Sequence, residues 1–204
     1  MDDTRGSETP GEMLARRLAD AVGPGSQIDE RAATEENELR CLLGNQSLTA
    51  PLPSAIPDFI GSEHEVWSDG EWVIKATLPG AFGRRWGSRR FALFSEYLER
   101  LTLTRAVFAL NWEFMGLALE MNRIRILTRQ PFFKGVAPTK EEITTFMEAF
   151  GFIQKQHRFG DFWLMSGKDI LVYDAEPGNF VKTSAGLIPI DLIMQKTGQE
   201  LLDQ

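Results

Sequence analysis

The chain has 204 residues, 43% hydrophobic and 25% charged, with a net charge of −7. That length supports one ordinary core plus an appendage, and neither a disulfide nor a usual zinc site can be built from one cysteine (Cys41) and two histidines (His64 and His157). Residues 1–50 carry ten acids against five bases, so the remainder is nearly neutral and gives no general argument for nucleic-acid binding.

The first ten or so residues, rich in Asp, Ser, Thr, Gly and Pro, read as disordered. Nothing approaches the long apolar run of a membrane helix, and the acidic start Met1-Asp2-Asp3 is unlike a signal peptide, so a cytoplasmic protein without a membrane partner is expected. A short helix fits Glu12–Val22 before Gly23-Pro24-Gly25-Ser26 breaks it, and a second fits Asp29–Leu43, with Leu39, Leu42 and Leu43 as its contacts. Three prolines make residues 47–57 an extended connector. Around Ser68-Asp69-Gly70, His64–Trp67 and Glu71–Ala76 form two strands. The basic run Arg84–Arg90 reads first as a solvated loop. Phe91–Phe108 has helical spacing, Phe114–Leu119 and Ile124–Gln130 are strands, and Thr139-Lys140-Glu141-Glu142 is a capping box opening a helix that stops at Gly151. Short strands follow at Phe162–Met165, Ile170–Tyr173, Phe180–Lys182 and Leu187–Ile193. The order is that of an α+β fold with an antiparallel first half. Cys41 reads as a small buried hydrophobe and His64 as a partly buried, satisfied histidine.

The string Asp174-Ala175-Glu176-Pro177-Gly178-Asn179 carries the chemistry. An Asp and an Asn five apart on a Pro-Gly turn project two oxygen-bearing side chains into one pocket. Twelve residues on, the apolar strand Ile188-Pro189-Ile190 delivers Asp191, a carboxylate that needs a partner or a cation in such a setting. Asn179 and Asp191 are hard oxygen donors suited to Mg²⁺, and Asp174 is placed to accept a hydroxyl proton.

Asp174-x-x-Pro177-x-Asn179 resembles the catalytic loop of protein kinases, and more closely that of aminoglycoside and choline kinase-like phosphotransferases. Val73-Ile74-Lys75 resembles the strand whose lysine holds the α- and β-phosphates. Together with Gly61–Val66, Glu96–Leu101, Thr128–Phe132 and Ile188–Asp191, these segments resemble the kinase-like family found in polyvalent proteins of phages and other mobile elements. The resemblance implies a minimal two-lobed kinase-like fold, an antiparallel-sheet first lobe with one main helix and a strongly reduced second lobe. Its divisions are a flexible acidic arm (1–28), a helix and Pro-rich connector (29–57), the first lobe (58–130), and a hinge with the reduced second lobe (131–204). It further implies Mg-ATP as cofactor and an unknown hydroxyl acceptor or protein partner. Asp174 and Lys75 would be catalytic; Lys75, Glu96, Gly61, Gln130 and Phe132 would bind nucleotide; Asn179 and Asp191 would hold the metal. Glu96, rather than Glu99, would pair with Lys75, and Thr128–Phe133 would be the hinge meeting adenine.

Four departures stand against a regulated protein kinase. Val172-Tyr173 replaces the usual His-Arg, and Leu192-Ile193 replaces Phe-Gly. No full Gly-rich loop is present, and thirteen residues follow Asp191, which leaves little room for a peptide-docking lobe. A catalytically silent nucleotide-binding or interaction module is therefore the second expectation.

Overall fold

The structure is a computed structural model that describes residues 9–22, 27–44, 48–84, 91–157, 160–165 and 167–197. Expectations for residues 1–8 and for most of the basic run, residues 85–90, fall outside these. The helix α1 (Pro10–Ala21) starts at a capping box in which Thr9 and Glu12 satisfy each other's backbone amides, with proline at the first helical position. It packs beside α2 (Ile28–Gly44). Of the segment expected to be a flexible arm, residues 10–21 form this helix, and Leu14 and Leu18 lie in the core. Leu39, Leu42 and Leu43 of α2 are buried as expected, but Cys41 is exposed: it lies on the opposite side of the helix from the leucine stripe.

Five antiparallel strands make the first sheet: β1 (Phe59–Ile60), β2 (His64–Ser68), β3 (Trp72–Thr77), β4 (Glu113–Glu120) and β5 (Arg123–Pro131), in spatial order β1-β2-β3-β5-β4. Its turns follow from local chemistry. The Asp69 carboxylate accepts from the amides of Glu71 (2.9 Å) and Trp72 (2.7 Å), and Gly70 supplies the positive φ that closes the β2–β3 hairpin. Met121 and Asn122, both at positive φ, form the two-residue β4–β5 turn. A bulge at Gly116 lets residues 48–50 strap the sheet edge; a Cβ there would come within 2.6 Å of the Leu48 carbonyl oxygen.

Between β3 and β4 runs α3 (Phe94–Phe108), three residues shorter at its start than the spacing predicts because Leu93 takes the N-cap. Its two halves belong to different cores. Phe94, Tyr97 and Leu98 join α1, α2 and the first sheet, whereas Leu103 and Phe108 join a second cluster with Ile143 and Met147. Those last two lie on α4 (Lys140–Ala149), opened by the Thr139–Glu142 capping box and followed by Gly151 at positive φ. Behind α4 stands a sheet of β6 (Phe152–Lys155), β7 (Phe162–Met165), β8 (Ile170–Tyr173) and β11 (Ile193–Lys196), in order β11-β8-β7-β6.

A separate hairpin pairs β9 (Phe180–Thr183) with β10 (Gly186–Pro189). The strand expected over Leu187–Ile193 is thus cut in two. The bend at Ile190-Asp191 turns one backbone carbonyl and one carboxylate toward the first sheet, where the Lys75 ammonium donates to the carbonyl and pairs with the carboxylate. The fold is α+β with antiparallel sheets and, among the described residues, four α-helices. None of these helices is long and apolar enough to cross a membrane.

Candidate functional site

Lys75 sits near the middle of β3, paired with Val66 on one side and Thr128 on the other, and its side chain is buried. Its ammonium donates to the Ile190 carbonyl at 2.9 Å, lies 3.3 Å from Asp191 Oδ1, and stands 4.9 Å from the Trp112 ring centroid. Burial pulls the Lys75 pKa down and nearby Arg100 adds to this, while Asp191 opposes it. Asp191 shows the reverse balance. Burial alone would raise its pKa, but Lys75 and Arg100 hold it well below the usual carboxylate range.

Arg100 and its partner Glu63 are residues that sequence reasoning missed. Arg100 projects from α3, is 5% exposed, and directs its guanidinium into this site. It donates to Glu63 Oε2 (2.7 Å), Asp191 Oδ1 (2.9 Å) and the Leu192 carbonyl (2.7 Å). Glu63 belongs to the β1–β2 turn, as does Gly61, whose amide closes that turn on the His64 carbonyl at 2.8 Å. His64, expected to be partly buried, is fully so, with Nε2 at 3.0 Å from the Tyr97 hydroxyl and Nδ1 at 3.9 Å from Asp191 Oδ2. Burial, with Lys75 and Arg100 nearby, pushes its pKa down to about 4, so at neutral pH it is an uncharged ring.

Glu96 does not pair with Lys75. It is the third residue of α3, and its carboxylate accepts from the Leu93 amide at 2.8 Å, closing the helix N-terminus. One turn further on, Arg100 faces inward with Tyr97, Leu103 and Thr104. A charged residue on the apolar stripe was the available signal, but only a folded chain shows that its partner is Glu63, 37 positions earlier.

Asp174 and Asn179 come together directly. The Asn179 side-chain amide donates to the Asp174 carbonyl (2.7 Å) and to Asp174 Oδ2 (2.9 Å), so its Oδ1 is the atom left for a cation. Asp174 holds φ at +62°, a left-handed conformation that costs a non-glycine residue about 1–2 kcal/mol. The Ile190 amide donates to the Asn179 carbonyl at 2.8 Å, which docks this loop beside the Lys75–Asp191 pair. Partial loss of water raises the Asp174 pKa, against the Asn179 hydrogen bond that lowers it.

Gln130 is buried near the end of β5. Phe132 follows half-open to solvent, and its amide already donates to the Glu71 carbonyl at 2.8 Å, so that donor of the expected hinge is engaged. A cavity of about 310 Å³ opens beside Asp174, lined by Lys140, Ile143, Asp161, Trp163, Tyr173 and Glu176. A larger one, about 630 Å³, lies between α2, the start of α3 and the β4–β5 turn, away from Lys75 and Asp191. Among the described residues no three His, Cys, Asp or Glu side chains gather as a metal cage. Asp191 and the free Oδ1 of Asn179 are hard oxygen donors of the kind that a divalent cation takes.

A buried lysine on an early strand, an aspartate in the bend between two later strands, and an Asp–Asn loop beside them define a kinase-like protein. A family model described as serine/threonine/tyrosine kinases found in polyvalent proteins matches residues 51–197, and the chain belongs to that family. No curated protein and no solved structure matches it.

Proposed function

We propose that this protein is a two-lobed, ATP- and Mg²⁺-dependent phosphotransferase acting on a hydroxyl acceptor. The observation that carries the reading is the 3.3 Å approach of Lys75 Nζ to Asp191 Oδ1, with the hydrogen-bonded Asp174–Asn179 pair docked alongside. Lys75 orients the phosphates; Asn179 Oδ1 and Asp191 are the metal ligands; Gln130 and Phe132 border the adenine, and the Gly61 turn covers the phosphates. Mg²⁺, when bound, supplies the positive charge that screens the reacting phosphates. The acceptor enters the cavity beside Asp174, whose raised pKa suits it to take the hydroxyl proton as the oxygen attacks the terminal phosphoryl group and ADP leaves. Such a protein works in the cytoplasm, where ATP is supplied, and fits a mobile-element setting.

A second reading, a silent nucleotide-binding or interaction module, is favoured by one feature: Arg100 already neutralises Asp191, and Glu63 stands in the turn that would cover phosphates. Phosphate release and transfer by wild type and Asp174→Asn separate the two. The phosphotransferase reading expects turnover in wild type and a loss of roughly 100-fold or more in the variant, with nucleotide affinity unchanged. Nucleotide binding without turnover in either protein supports the second reading.

A further inference from the structure

We propose that Arg100 is an internal cation at the metal position of Asp191, and that it makes divalent-metal entry depend on the nucleotide. This rests on the reading of Asp191 as a metal ligand. Oδ1 of Asp191 is shared by Arg100 Nη2 (2.9 Å) and Lys75 Nζ (3.3 Å). Two positive charges therefore sit on one carboxylate, and Oδ2, 3.9 Å from His64 Nδ1, is the oxygen without such a partner.

The guanidinium cannot easily leave. Its second nitrogen is bonded to Glu63 and its Nε to the Leu192 carbonyl, and the side chain is buried between α3 and the bend that carries Asp191. Glu63, Lys75, Arg100 and Asp191 form a closed set of two acids and two bases joined by ion pairs. A bare divalent cation would thus approach a carboxylate already neutralised, next to two fixed positive charges. A metal–triphosphate complex brings its own negative charge to Lys75 and Arg100 and meets no such barrier. Arg100 acts through Asp191 and is a positioning residue.

The Glu63→Gln/Arg100→Gln double variant tests this, because it removes the guanidinium without stranding a buried carboxylate. Mn²⁺ binding to nucleotide-free protein is measured by electron paramagnetic resonance, beside wild type, Arg100→Lys and Asp191→Asn. Unfolding midpoints confirm that each protein is folded. The double variant should bind Mn²⁺ about tenfold or more tightly than wild type, Arg100→Lys should stay close to wild type, and an ADP analogue should tighten wild type more than the double variant. Equal Mn²⁺ affinity in wild type and the double variant, both lost in Asp191→Asn, overturns the role of Arg100 while leaving the metal site standing. Binding that is indifferent to Asp191→Asn, or absent in all four with and without the ADP analogue, overturns both.

Discussion

His64 is uncharged at neutral pH because it is buried among Lys75, Arg100, Glu63 and Asp191, and its proton affinity links stability to pH. Folded, it protonates near 4; unfolded, near 6.5. Between these values the unfolded chain binds the extra proton, so the stability this residue contributes is complete above about pH 6.5 and is lost as pH falls toward 4. The gap between the folded and unfolded values corresponds to a loss of roughly 3 kcal/mol. Glu12, Asp69, Glu141, Glu142 and Asp191, all with lowered pKa, add losses from about pH 4.5 downward, and the raised pKa of Asp174 acts with the opposite sign over the lower part of the range. Urea unfolding of the metal-free protein at pH 7, 6, 5 and 4.5 should show this decline, and His64→Phe should flatten it. An equal slope in both proteins would assign it to other groups.

Local signals in the sequence give helices and hairpins their positions, because caps and turns are settled by residues three or four apart. The Thr139–Glu142 box, the Asp69-Gly70 turn and the strands Phe162–Met165 and Ile170–Tyr173 all stand where periodicity and turn chemistry put them. Long-range pairing is where reading stops. Glu96 was expected to meet Lys75, yet its own helix N-terminus claims it, and the break of the last apolar run at Ile190-Asp191 depends on a lysine far back in the chain. Asp174, Asn179, Lys75 and Asp191 were legible as candidates because their spacing resembles a known loop; Arg100 and Glu63 were not, since no spacing rule joins a helix residue to that turn. At this scale Gly135 gives a test. The segment after β5 is tied to β9 by Val136 and Lys182, and a Cβ on Gly135 would come within 2.2 Å of the Lys182 carbonyl oxygen. Gly135→Ala should cost about 2 kcal/mol or more and lower the melting temperature by several degrees. An unchanged melting temperature would show that the two segments part readily.

Across the molecule, α3 is the element that joins everything: one half packs on α1, α2 and the first sheet, the other on α4 and β11, and Arg100 in the middle reaches Asp191. The helices α1 and α2 precede the matched residues 51–197, yet five of their leucines share the core of α3. Glu35 of α2 also accepts from the Ser95 amide (3.0 Å) and hydroxyl (2.5 Å), fixing the start of α3. At about 2 kcal/mol for each buried leucine, the pair matters to the whole fold. Removal of residues 1–50 should therefore leave a protein that melts at least about 10 °C lower or fails to fold, as read by circular dichroism. A truncated chain as stable as the full one would make these helices an accessory. Whether the whole arrangement serves nucleotide chemistry is tested most directly by the unfolding midpoint in millimolar ATP, with and without Mg²⁺. Wild type should be stabilised by Mg-ATP, and Lys75→Ala and Asp191→Asn should lose that stabilisation. No nucleotide-dependent change in wild type, or an equal change in all three proteins, would contradict it.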